Sequence, residues 1–396
     1  MYYYQTDGVL AASYLPELPF EPAAPGTPAL FLTERSSGPA AFRAACTHHL
    51  TEPAGVRWLD AKAGSALDHP LTAVNLRHPR WRDALSFPAP KPGKKRVHLL
   101  AVGDVGGTLL TALKLLGGDC ISHIGIRDLN ENTVKRWVTE MGQIAWPWDY
   151  DALPEIEAVP EERLFDCDVF IFAATKAIPA VDSGVKDVRM AQFAANRPLV
   201  EHFARQARKA RFGGLFIVLS DPVDPLCKAA WLASNTAPDG TMDHLGLLPE
   251  QVQGFGLGVM NARAAYFARQ ESRFSSFLSE GRSFGPHGRG LVIANSIGHY
   301  DDALSRELTE KVETANLRVR ELGFKPYVAP AVSSGTMQLL LTLRGEWHCS
   351  SVPLGDVWFG VRNRFTPHGL EMEALPLPDA LFARLEETET LLKAII

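Results

Sequence analysis

Long apolar runs are missing from this chain. No stretch reaches the roughly 20 residues that a membrane-spanning helix needs, so no membrane partner is expected. Cysteine is scarce and unpatterned. The five cysteines (Cys46, Cys120, Cys167, Cys227, Cys349) are odd in number and form no C-x-x-C pair, which excludes a disulfide framework and suits reduced thiols in a cytoplasmic protein. Neither sign of charge dominates: 21% of residues are charged and the formal net charge is −5. Without a basic excess or a charge run, nucleic acid and anionic membrane surfaces are not expected partners. The opening MYYYQTDGVL has neither the basic leader nor the apolar core of a secretion signal. CTHHL supplies Cys46, His48 and His49, with His69 and His78 nearby. Their spacing is not that of a structural zinc site, so they read as surface or cap residues and no metal is expected. What is present is an ordinary globular composition, 46% hydrophobic over 396 residues, long enough for two or three domains with sizeable cores.

The chain is organised around VHLLAVGDVGGTLLTALKLL, Val97 to Leu116. Val97 and Leu99 to Val102 read as a buried parallel strand, and an apolar-periodic helix follows at once. Gly103, Gly106 and Gly107 supply the tight turn between them. Glycine is needed there because the backbone bends sharply and must let a diphosphate approach the free N–H groups at the helix start. The pattern is one glycine short of G-x-G-x-x-G, since Ala101 takes the first place. HIGIRDLNENTV then reads as a second strand, which Asp128 closes 22 residues after Gly106. A carboxylate at that distance is placed to hold the two ribose hydroxyls of NAD and to repel a 2′-phosphate. The competing reading of Asp128 is a cap for the next helix. Arg127 beside it is a residue type that binds the extra phosphate of NADP.

Taken in order, residues 1–93 form a Pro- and Ala-rich N-terminal extension with short strand candidates, and 88–95 (PAPKPGKK) is a linker. Residues 94–250 alternate strand and helix, the signature of a doubly wound parallel sheet and hence of a Rossmann-type domain. Its later parts are CDVFIFAAT, with Ala173 and Ala174 at the strand end, the loop Lys176 to Asp187, and a long helix in which Pro198 is expected to start a new turn or a kink. GGLFIVLSDPVDPL follows. Residues 251–396 read as a mixed α+β domain containing GFGLGVMNARAAYF, the histidine loop RSFGPHGRG and a charged amphipathic helix from Asp301 to Leu322.

The sequence of motifs A-x-G-x-V-G, Asp128, a loop leading to Arg189 and Asn196, S-D-P-V-D, G-x-G-x-x-x-x-x-A-R and G-P-H-G resembles the lactate/malate dehydrogenase family from about Arg96 to the C-terminus. The first 93 residues lie outside the resemblance. It implies an α/β Rossmann-type sheet followed by an α+β catalytic domain, with NAD as cofactor, a small 2-hydroxy or 2-keto carboxylate as substrate, and a homo-dimer or homo-tetramer. It also implies that Gly103, Asp104, Val105, Gly106, Asp128, Ala173, Ala174 and Asn196 line the cofactor. His287 in Gly285-Pro-His-Gly288 takes the place of the acid/base, Arg263 that of the carboxylate clamp and Arg189 that of the polarising arginine on the mobile loop. The chemistry suits these types, because a group titrating near neutrality serves proton transfer and a planar guanidinium matches a carboxylate with two parallel bonds. Each residue also has an ordinary reading: a loop histidine bonded to backbone, a surface ion pair, a helix start.

Two departures bear on substrate and mechanism. Where the family keeps an aspartate three residues before its clamp arginine, this chain has Met260, which cannot stabilise an imidazolium. Where N-P-V-D supplies an asparagine to the substrate oxygen, this chain has Asp221, an acceptor-only group when ionised. Asp221 disfavours a keto oxygen and favours an ammonium or iminium nitrogen, or else takes over as the partner of His287. The substrate-selecting loop is longer than the family's short form, leaving Ser183, Gly184 and Lys186 as candidates to face the substrate side chain. Alternatives are therefore a 2-amino/2-imino acid substrate, or a non-catalytic NAD-binding sensor that kept the fold.

Overall fold

The computed structural model describes residues 2–6, 9–13, 21–22, 29–33, 41–46, 55–61, 66–75, 93–176, 188–366 and 369–396. His48, His49 and His78 lie outside these residues, as do Ser183, Gly184, Lys186 and the rest of loop 177–187.

Six strands precede the nucleotide-fold segment: β1 (Tyr2–Thr6), β2 (Val9–Ser13), β3 (Glu21–Pro22), β4 (Ala29–Thr33), β5 (Ala41–Cys46) and β6 (Ala66–Asn75). Six more follow in β7 (Lys95–Leu100), β8 (Ile121–Arg127), β9 (Glu155–Ala158), β10 (Val169–Phe172), β11 (Leu215–Val218) and β12 (Val252–Gly254). These six lie in the order β9-β8-β7-β10-β11-β12 and pair in parallel throughout. Val97 of β7, for example, sits between Val169 and Ile124. The chain leaves β7 in one direction and β10 in the other, so a crevice opens where the winding reverses, above the carboxyl ends of both strands. Every connection that follows a carboxyl end of β7, β10, β11 or β12 therefore lies along this one edge.

The helices of the doubly wound part are α1 (Asp104–Leu116), α2 (Glu131–Gly142), α3 (Val188–Lys209) and α4 (Val223–Asn235). The strands VFIF and LFIV are apolar at every position because both faces of the sheet are covered. Leu99, Ile171 and Ile217 meet Leu109 and Leu113 of α1 on one face. Phe170, Phe172 and Phe216 meet Phe203, Ala204 and Ala207 of α3 on the other. Burial of such a side chain contributes about 1.5–3 kcal/mol, so the central strands hold the crevice floor rigid. The Asn130 side chain accepts from the N–H groups of Asn132 and Thr133 and starts α2. α3 runs through Pro198 without a break. The expected new turn there is absent, since a helix buried along Val200, Phe203 and Ala204 tolerates the loss of one donor.

Beyond β12 come α5 (Leu257–Gln270), the short α6 (Phe277–Glu280), the hairpin β13 (Arg282–Phe284) and β14 (Val292–Ala294), and α7 (Asp302–Glu321). A π-helical turn at Pro330–Thr336 leads into α8 (Met337–Leu343). An antiparallel meander of β15 (His348–Leu354), β16 (Val357–Thr366) and β17 (Gly369–Met372) follows, and α9 (Asp379–Lys393) ends the fold. The meander continues the parallel sheet, with Gly254 of β12 opposite Ser351 of β15. β17 in turn pairs in parallel with β5, with Leu370 opposite Phe42, so the N-terminal strands extend the same sheet. No helix among the described residues is long and apolar enough to cross a membrane.

Candidate functional site

The glycine turn sits at the crevice edge of β7. Ala101 adopts φ 74° at the place where the dinucleotide motif carries its first glycine. Its carbonyl oxygen lies 2.0 Å from where a Cβ on Gly106 would stand, so residue 106 must be glycine for the turn to close. Gly103 has open space around it and, lacking a side chain, caps none of the first N–H groups of α1. Those donors and the positive end of the helix dipole are the elements of a diphosphate cradle. Asp104 pairs with Lys325 at 2.9 Å on the surface, and Val105 is half-buried.

Asp128 follows β8. Its Oδ2 accepts from the Val102 N–H at 2.9 Å and its Oδ1 from the Asn130 N–H at 3.1 Å. The cap of α2 is Asn130, so Asp128 is not spent on capping; it ties the strand end to the glycine turn and keeps lone pairs for hydroxyl donors. The side chain of Arg127 lies toward Glu161, 4.0 Å away. Ala173 and Ala174 follow β10, where the Ala173 N–H donates to Leu100 O and the Ala174 carbonyl accepts from Ser220 Oγ.

Asn196 stands between the ends of β10 and β11. It is completely buried, its Oδ1 accepts from the Lys176 N–H and its Nδ2 donates to the Asp221 carbonyl, both at 2.8 Å. Those bonds make it a brace that joins the ends of β10 and β11 from behind. The Asp221–Pro222 peptide is cis, and the Asp221 side chain is exposed at the crevice.

His287, Arg263, Arg189 and Asp221 come from four distant parts of the chain and meet here. His287 Nδ1 lies 2.9 Å from the carbonyl of Gly256, which follows β12. A carbonyl only accepts, so Nδ1 carries the hydrogen and Nε2 is left to exchange a proton. The same carbonyl accepts from Ser334 Oγ at 2.9 Å, and that hydroxyl accepts from the Val259 N–H. Burial pushes the His287 pKa down. The Asp221 carboxylate and the Gly256 bond oppose this, while the guanidinium groups of Arg189 and Arg263 reinforce it. The imidazole is accordingly neutral at neutral pH.

Arg263, on α5, is half-buried. Its Nη1 donates to the Val312 carbonyl at 3.3 Å and touches Met260 Sδ at 3.6 Å, and the charge of Asp221 acts on it. Met260 is 2% exposed and packs with Phe267 and Leu308, so no carboxylate stands behind the imidazole on that helix. Arg189, in the first turn of α3, lies against the histidine loop. A Cβ on Gly288, whose φ is +138°, would fall 1.5 Å from Arg189 Nη2. The charge of Arg189 reaches His287, Asp224 and Glu313.

Asp224, Ser334 and Ser351 were not singled out by sequence reasoning. Asp224 is 3% exposed; its Oδ2 accepts from the His287 N–H at 3.3 Å and its Oδ1 from Ser351 Oγ at 2.7 Å. Burial raises its pKa to about 6 against the pull of these donors. The signal for it was the last residue of S-D-P-V-D, an acidic side chain on an otherwise apolar helix face. Among the described residues, no group of three or more His, Cys, Asp or Glu side chains is arranged to hold a metal ion.

No protein-family model matches the chain. It is 24% identical over 244 residues to L-lactate dehydrogenase of Corynebacterium jeikeium, a match covering 60% of this chain and 68% of that protein. Among solved structures, a lactate dehydrogenase from a Medee basin deep-sea metagenome library superposes with a TM-score of 0.61 at 16% identity, covering 76% of this chain and 98% of its own. Malate dehydrogenase of Archaeoglobus fulgidus, solved in complex with NADH, superposes with a TM-score of 0.59 at 16% identity, covering 76% and 98%. With this strand order and these neighbours, the chain has the fold of the lactate and malate dehydrogenases, and in sequence it is similar to an L-lactate dehydrogenase.

Proposed function

We propose that the protein is an NAD-dependent oxidoreductase that transfers hydride at C2 of a small carboxylate, the class in which 2-hydroxy and 2-keto acids are the reference substrates. The observation that carries this reading is the meeting of His287, Arg263, Arg189 and Asp221 at the edge of the sheet that also bears the glycine turn. Gly103, Asp104, Val105, Gly106, Asp128, Ala173 and Ala174 would hold the dinucleotide, with Asn196 bracing the wall behind it. When bound, the nicotinamide supplies or accepts the hydride.

The remaining work falls to the protein. Arg263 binds the substrate carboxylate through paired N–H donors. Arg189 adds a second positive charge beside His287. His287 exchanges a proton through Nε2, oriented by the Gly256 carbonyl on Nδ1 and by Asp224 on its backbone N–H. A carbonyl orients an imidazole but stabilises its cation less than a carboxylate does, and Asp221 provides the negative charge that Met260 cannot. The Asp128 carboxylate, with Arg127 directed at Glu161, favours NAD over NADP. A homo-dimer or homo-tetramer belongs to the same reading.

Titration with NADH and NADPH, followed by fluorescence, tests the cofactor assignment: NADH is expected to bind and NADPH to bind at least tenfold more weakly. Turnover of a panel of 2-hydroxy, 2-keto and 2-amino acids tests the activity. His287→Asn is expected to lower kcat by about 100-fold or more while leaving NADH binding intact. Dinucleotide binding without turnover of any of the three classes would favour the non-catalytic sensor.

A further inference from the structure

We infer that the heteroatom at C2 of the substrate is a cationic nitrogen, so that the site is built for a 2-amino/2-imino carboxylate. This rests on the dehydrogenase reading above and names its substrate class.

Complementarity of charge and hydrogen bonding carries the inference. Among the described residues, the charges that act on the His287 imidazole are two guanidinium groups, Arg263 and Arg189, and one exposed carboxylate, Asp221, which also acts on Arg263. Two cationic donors match the carboxylate of the ligand. The one anionic acceptor matches a group that is positive or carries N–H donors. A zwitterionic 2-amino acid presents both groups on adjacent carbons. A keto oxygen beside Asp221 instead sets a lone pair against a carboxylate, with no proton between them.

The surroundings of Asp221 hold it in this position. Its carbonyl is fixed by fully buried Asn196 at 2.8 Å, and Ser220 before it is anchored to the Ala174 carbonyl and to Thr175 Oγ1. The imidazole Nδ1 is committed to the Gly256 carbonyl, and α5 carries no carboxylate to compete for the ring, with Met260 packed against Phe267 and Leu308. Asp221 therefore remains available to the ligand.

The reaction balances as follows. A 2-amino acid and oxidised NAD give a 2-imino acid as its iminium, reduced NAD and one proton. One ammonium proton passes to Nε2 of His287, the C2–H bond breaks with its electron pair leaving as hydride, and the nitrogen lone pair closes the C=N bond. The nitrogen is positive at both ends of the reaction, so Asp221 favours both states. A hydroxyl that becomes a carbonyl gains partial negative charge beside Asp221 and is disfavoured there.

The test compares two probes that differ at C2 alone: alanine and lactate, each as both enantiomers, titrated by calorimetry into the full chain saturated with NADH. All components are then in the reduced state and no turnover intervenes. One enantiomer of alanine is expected to bind about 10- to 100-fold more tightly than either lactate, the range of one charge-assisted hydrogen bond. Asp221→Asn is expected to abolish that preference and to raise 2-keto acid turnover relative to the unmutated chain. Lactate binding as tightly as alanine, alanine failing to bind while NADH does, or an unchanged preference in Asp221→Asn each overturns the nitrogen assignment and leaves the dehydrogenase reading standing. Failure of NADH itself to bind overturns both.

Discussion

Replacing Asp224 by asparagine is expected to stabilise the protein at neutral pH while leaving its acid stability unchanged. Asp224 is buried beneath the histidine loop, with a hydroxyl donor on one oxygen and a backbone N–H on the other. Burial raises its pKa from 3.8 to about 6. The folded state thus holds a proton more tightly than the unfolded state. The associated stability is fully present below the unfolded pKa near 4 and is lost as pH rises through about 6. Above that pH the buried carboxylate costs the fold about 3 kcal/mol relative to a group with no shift. Asparagine has the same shape and cannot ionise. Its oxygen accepts from the His287 N–H and its amide donates to Ser351 Oγ, so both contacts survive. Urea denaturation at pH 7.5 should therefore show Asp224→Asn more stable by up to about 3 kcal/mol, the gain shrinking to nothing near pH 4. An asparagine variant that is less stable at pH 7.5, or whose difference from the parent does not change with pH, would refute the reasoning.

Three further outcomes are expected. His348 is buried between the Glu346 carbonyl and Ser350 Oγ, and burial lowers its pKa to about 4. Its contribution is intact above the unfolded value of 6.5 and is lost as pH falls through about 4. His348→Gln should flatten the acid limb of a stability profile by about 3 kcal/mol. Gly288→Ala places a methyl on the Arg189 guanidinium at a positive φ. It should reduce kcat/KM by about 100-fold through displacement of Arg189, with NADH affinity, measured by fluorescence, unchanged. Gly106→Ala drives a Cβ into the Ala101 carbonyl and should weaken NADH binding by tenfold or more in the same titration, because the turn that presents the helix N–H groups must open.

Much of the fold was written in local chemistry. The apolar runs LLAV, VFIF and LFIV announce strands covered on both faces, and the glycines after Val102 announce the turn. Other elements were not legible in the chain. β9 hides in an acidic, Pro-broken stretch, because a four-residue edge strand needs little hydrophobic pattern of its own and is defined by pairing with β8. α2 begins two residues before Thr133, where the Asn130 cap sets its start.

The site divides along the same line. Residue type and order marked His287, Arg263, Arg189 and Asp221 as candidates, since only particular groups clamp a carboxylate or move a proton near neutral pH. Whether they meet is a property of topology: the winding of six parallel strands brings the ends of β7, β10, β11 and β12 to one edge. Long-range packing also decided what each group touches. It bonded buried Asn196 to Lys176 and Asp221, committed His287 Nδ1 to the Gly256 carbonyl, and placed the unheralded Asp224 under the histidine loop. Local sequence fixes which bonds a side chain is able to make, and the tertiary structure decides which of those bonds are already used.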